Sequence, residues 1–64
     1  TLTDKEFAVF LKLAHGRSVS DIAGDFHLSP STVGTHLYHI KQKLNASNAA
    51  ELSVIAMRAG LIEA

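Results

Sequence analysis

Ser18-Val-Ser-Asp-Ile-Ala-Gly-Asp-Phe26 and Ser29-Pro-Ser-Thr-Val-Gly-Thr-His-Leu-Tyr-His-Ile-Lys-Gln-Lys-Leu44 decide the fold of this chain. Both stretches open with a serine, whose hydroxyl accepts from a free amide at a helix start. In the first, Ile22, Ala23 and Phe26 fall on one side, which predicts a helix over about 19–26. In the second, Pro30 takes the first helical position, where its missing amide proton costs little. Val33, Leu37, Ile40 and Leu44 then line one face of a helix over about 30–44. Only His27 and Leu28 separate Phe26 from the next cap. A short helix, a tight turn and a longer helix with a polar outer face make a helix-turn-helix. Ala23 fits this reading, because a small side chain lets the second helix cross close over the first.

The flanks extend the helical pattern. Thr3-Asp4-Lys5-Glu6 fits a capping box, in which the threonine hydroxyl and the glutamate each take one orphan amide. Phe7, Phe10, Leu13 and Ala14 follow at helical spacing, widened by Val9 and Leu11, and Gly16 suits a left-handed stop. This places a helix at about 4–15. Asn48-Ala49-Ala50-Glu51 resembles a second capping box, and Leu52, Ile55, Ala56 and Ala59 form the inner stripe of a helix at about 49–59, closed by Gly60. No segment alternates with period two. The expected fold is all-α, a compact four-helix domain, with one helix-turn-helix domain spanning 1–64.

Sixty-four residues make one domain, close to the size at which folding needs regular helix packing or a staple. The chain has no cysteine, which removes disulfides and thiolate metal sites and suits the cytoplasm. No apolar run is long enough to span a membrane. The chain begins at Thr1 rather than Met, as expected of the C-terminal part of a longer protein. Formal net charge is zero, which counts against a nucleic-acid binder. The distribution softens this: residues 29–44 hold Lys41 and Lys43 and no acid, so the second helix of the motif is the only segment with net positive charge. His36 and His39 add to it at lower pH.

At about 100° per residue, Ser31, Thr35, Tyr38 and Gln42 lie opposite the apolar face centred on Val33. Gly34 and His39 lie beside them, and Thr32, Lys41 and Lys43 flank them. Hydroxyls and an amide can read base edges in a major groove, and a threonine methyl can touch a thymine methyl. Flanking cations and hydroxyls, with the open amides at the helix start, suit phosphates. Ser31, Thr35 and Tyr38 are therefore expected to meet bases. Ser29, Thr32, His39, Lys41 and Lys43 are expected on phosphates.

The chain as a whole resembles the effector domain of the LuxR/NarL/FixJ family of bacterial transcription regulators. The matching residues are Leu2-Thr3-x-x-Glu6, then Ala14-x-Gly16-x-Ser18-x-x-x-Ile22-Ala23. They continue with Leu28-Ser29-x-x-Thr32-Val33-x-x-His36, Ile40-x-x-Lys43-Leu44 and Glu51-Leu52, and the match runs from residue 2 to about 61. The resemblance implies a third helix in the major groove and dimers formed through the fourth. It also implies that Gly34, Thr35 and Tyr38 stand where bases are met, and Ser18, Ser20, Thr32 and Lys43 where phosphates are. Ser20 and Gly34 depart from the pattern, since lysine is frequent at both positions; their absence predicts weaker, less salt-dependent binding. The segment from Glu51-Leu52 to Ala59-Gly60-Leu61 looks like members in which this domain follows a phospho-receiver domain. A receiver domain and RNA polymerase are thus expected partners in a full-length response regulator of a two-component system.

Val54, Met57, Arg58 and Leu61 fall outside the inner stripe of the fourth helix and are the expected dimer interface. His36 and His39 are three apart, but no cysteine or acidic ligand accompanies them; His36 is expected to pack inside the motif, and no metal or other cofactor is expected. There is no nucleophile elbow of the G-x-S-x-G kind and no enzyme is expected. Two readings of function remain: sequence-specific binding of double-stranded DNA by a dimer to regulate transcription, or a protein-interaction module on the same fold with weak or lost DNA binding.

Overall fold

The computed structural model describes residues 2–63. Four helices account for the regular structure of these residues: α1 (Asp4–Ala14), α2 (Val19–Phe26), α3 (Pro30–Leu44) and α4 (Ala49–Arg58). The all-α expectation holds. α1 and α4 each stop one residue short of the expected ends at 15 and 59.

All four starts are set by side-chain caps. Thr3, Ser18, Ser29 and Asn48 accept from the amides of Glu6, Asp21, Thr32 and Glu51 at 3.1, 3.0, 3.2 and 2.9 Å. The box at α1 is complete, because Glu6 Oε1 also accepts from the Thr3 amide at 2.9 Å. At α4 the pattern differs from the expected box: the Glu51 carboxylate accepts from the amide of Ser47, one residue before the cap.

The helix ends share one geometry. At each, the residue in the left-handed region donates back to a carbonyl three residues earlier. The next residue, Arg17, Leu28, Ala46 or Leu61, donates to one five residues earlier. This double hook satisfies carbonyls that a helix end leaves open. Gly16 and Gly60 fill the left-handed position at α1 and α4, as expected. His27 (φ 56°) and Asn45 (φ 55°) fill it at the ends of α2 and α3. Neither was foreseen. Asparagine and histidine are among the few side chains that tolerate this region, at a cost glycine avoids.

Val9, Phe10, Leu13, Ala14, Ile22, Ala23, Val33, Ile40, Leu52 and Ala56 form one buried cluster. α1 packs against each of the other helices, and α2 packs on α3. Ala23 is buried in the core. Leu37, Leu44 and Phe26 pack against the cluster from its edge. Three members of the expected stripes do not belong to it, and of these Leu11 is half-buried. Phe7 is 40% exposed, because it lies about 100° around α1 from the centre of the buried stripe; its ring leans on Phe10 at 6.2 Å. Ala59 caps α4 beyond the packed segment and is exposed. In place of Phe7, Glu6 faces inward and is only 5% exposed.

Polar ties close the bundle. Asp25 on α2 takes Arg17 at 2.9 Å and Lys12 of α1 at 3.4 Å. Its carboxyl is held below its usual range by the Arg17 hydrogen bond. The Ser53 hydroxyl on α4 donates to the open Ala14 carbonyl at 3.3 Å.

Candidate nucleic-acid interface

The outer face of α3 is displayed because its inner face is locked. Val33 and Ile40 have no exposed surface, and fixing them at helical spacing fixes the rotation of the rod. Ser31, Thr35, Tyr38 and Gln42 are then all exposed along one stripe. Tyr38 is the largest of them, at 55% exposure.

Hydrogen bonds along the stripe decide what each group offers. Gln42 Nε2 donates to the Tyr38 hydroxyl at 2.8 Å, which leaves the phenol proton free to donate outward. Thr35 Oγ1 donates to the Ser31 carbonyl at 3.1 Å, so this hydroxyl meets a partner as an acceptor beside its methyl. Gly34 is half-buried and α-helical, and a Cβ built on it would meet nothing within 4 Å. No neighbouring protein atom therefore requires glycine there.

Hydroxyls cluster at the start of α3. Ser29 Oγ is 2.9 Å from Thr32 Oγ1 and 3.4 Å from Ser31 Oγ, while also capping the helix. Ser18 caps α2 and Ser20 is exposed on its first turn. The residues expected on phosphates thus lie at the starts of α2 and α3 and along the far half of α3.

The cations of that far half differ. Lys41 is half-buried on the flank and has no carboxylate partner among the described residues. Lys43 is bound at 2.7 Å to Glu6 Oε1, and His39 Nδ1 lies 3.9 Å from Glu6 Oε2. The Lys43 hydrogen bond, followed by the Thr3 amide, lowers the Glu6 carboxyl to a pKa of about 2. Sequence reading assigned Glu6 only to the cap. Its partner is 37 residues away, and no local spacing announces such a contact. His36 is half-buried and His39 exposed beside the Tyr38 ring. The described residues hold no group of three potential ligands arranged for a metal ion.

α4 leaves a different surface. Val54 and Met57 on it are 40% and 38% exposed, Arg58 is exposed, and Leu61 beyond its end is 41% exposed.

A capped α2, a two-residue turn and a locked α3 with a polar outer stripe define a helix-turn-helix domain. Comparison with known proteins agrees: residues 1–56 match the family described as bacterial regulatory proteins, luxR family. The chain belongs to that family. It is 34% identical over 64 residues to the response regulator GacA of Pseudomonas aeruginosa, covering the whole chain and 30% of that relative. It is also 34% identical over 64 residues to the response regulator UvrY of Escherichia coli, again over the whole chain and 29% of the relative. The transcriptional regulatory protein YxjL of Bacillus subtilis is 38% identical over 61 residues, which is 95% of the chain and 28% of that protein. The chain therefore spans less than a third of the length of these relatives.

Proposed function

We propose that this chain binds double-stranded DNA sequence-specifically and regulates transcription, with α3 in the major groove. The observation that carries the reading is the exposed stripe Ser31, Thr35, Tyr38 and Gln42 on a helix whose opposite side buries Val33 and Ile40 completely. In this reading Tyr38 donates to a base acceptor, and Thr35 brings a methyl and a lone pair, a pairing suited to thymine next to a donor. Ser31 adds a hydroxyl, and Gly34 lets the helix backbone approach the base edges. Ser18, Ser20, Ser29, Thr32, His39 and Lys41 hold the phosphates on either side.

Val54, Met57, Arg58 and Leu61 pair two copies about a two-fold axis, so the site is a repeat of two half-sites. The paired area is small and the dimer is weak without DNA. A receiver domain in the same polypeptide, RNA polymerase as a partner, a cytoplasmic location and no catalytic activity complete the proposal, in keeping with relatives named response regulators.

One observation favours the rival protein-interaction module: Lys12, Arg17 and Lys43 are already engaged with carboxylates. Selection of duplexes from a random pool at stated salt separates the two. The DNA reading expects an enriched sequence with two-fold symmetry, and amide shifts on binding concentrated in residues 29–43. An unenriched pool, with shifts confined to α4 when cell proteins are added, supports the rival.

A further inference from the structure

We propose that Glu6 and Lys43 are positioning residues that set the angle of α3 on α1, and that Lys43 acts on DNA binding through this clamp instead of as a phosphate contact; the proposal rests on the DNA-binding reading above. Glu6 is a charged side chain with 5% of its surface exposed. Such a group is retained only when its oxygens are well paired, because an unpaired buried carboxylate is strongly destabilising. Here Oε1 accepts from the Thr3 amide at 2.9 Å and from Lys43 Nζ at 2.7 Å. The Thr3 hydroxyl in turn accepts from the Glu6 amide at 3.1 Å. The carboxylate is thus pinned to the first turn of α1 by its own cap and does not swing without undoing it.

The apolar contact between α1 and α3 fixes which face of α3 points inward, but apolar attraction is non-directional and tolerates sliding and tilt. A charge-assisted hydrogen bond of set length does not. Lys43 lies in the last turn of α3, one turn beyond the buried Ile40. The pair therefore fixes the far end of the helix whose middle carries Thr35 and Tyr38. His39 Nδ1 lies 3.9 Å from the other oxygen, outside hydrogen-bond reach. A phosphate approaching Lys43 meets an ammonium already paired at 2.7 Å with the Glu6 carboxylate. Lys41, free of such a partner, suits phosphate better.

The test uses the chain with Glu6→Gln, Lys43→Met and Lys41→Met, each titrated with the selected duplex and a scrambled one across a salt series. Glutamine keeps the shape and the cap of Glu6 while removing its charge. The clamp predicts that Glu6→Gln and Lys43→Met weaken the selected duplex several-fold, reduce its preference over the scrambled one, and leave the salt slope at the wild-type value. Lys41→Met weakens both duplexes alike and lowers the slope by about 0.9. A phosphate-bound Lys43 predicts the reverse: Glu6→Gln tightens binding and steepens the slope, and Lys43→Met lowers the slope by about 0.9. Either result overturns the proposal. The Glu6 carboxyl is followed by carbon NMR in the DNA-free chain, where a midpoint near 2 is expected in the wild type and a higher one in Lys43→Met. An ordinary midpoint in the wild type removes the clamp and leaves DNA binding untouched. If no duplex is preferred by the wild type, the DNA reading fails and the role of the clamp in it fails too, whatever Glu6 does.

Discussion

α3 and α4 are built alike on the inside and differently on the outside. Each buries two residues completely: Val33 and Ile40 on α3, Leu52 and Ala56 on α4. Outside, α3 shows hydroxyls, an amide and a phenol, whereas α4 shows Val54, Met57 and Arg58, with Leu61 exposed just beyond its end. The inner stripe decides only that a helix docks and at what rotation. The outer stripe decides what it meets, and in the proposed reading that is a DNA groove for α3 and a second copy for α4.

The largest expected effect tests the shared inside. Ile40→Ala and Leu52→Ala, both at buried sites without exposed surface, should each cost about 2–5 kcal/mol in urea unfolding. A much smaller cost for one of them would mean that its helix is not part of the common core. The outside comes next. Tyr38→Ala should lower discrimination between the selected and scrambled duplexes by about 1–3 kcal/mol without changing stability beyond about 0.5 kcal/mol. Met57→Ala should leave half-site affinity alone and weaken only pairing of two copies, read by sedimentation and by binding to a two-half-site duplex. Crossed outcomes would exchange the roles of the two helices.

Gly34→Ala sharpens the contrast further. The open space around Gly34 predicts a gain of up to about 1 kcal/mol in stability from helix propensity, with weaker binding of the selected duplex. A gain in both would make the glycine a tolerated residue and nothing more. The smallest effect is acid sensitivity. The Glu6 pKa is depressed from 4.5 to about 2 in the folded chain. Its contribution is therefore complete above the unfolded value and is lost as pH falls through that window. Tm should drop between pH 5 and pH 2, less steeply in Glu6→Gln, and Ser53→Ala, which removes the pin of α4, should not alter that steepness.

Local signals made most of this legible. Thr3, Ser18, Ser29 and Asn48 cap where their side-chain chemistry says they should, and helix ends deviate by a single residue, because caps and stripes act over three or four positions. Two kinds of feature stayed hidden. His27 in the left-handed region follows from the demand for a tight turn before Ser29, which overrides the residue's own preference. The Glu6 partnership joins the first turn of the chain to the end of α3, and no periodicity encodes a contact across 37 positions. Phe7 reads as core because it is apolar and close to the stripe, yet it lies about 100° from its centre and is 40% exposed.

α1 touches each of the other three helices, and α4 rests chiefly on α1. α3 and α4 are thus mounted on a common strut with little direct contact between them. On the proposed roles, a substitution on α4 that changes the spacing of paired copies leaves base preference on α3 untouched, so operator geometry and operator sequence become separately adjustable.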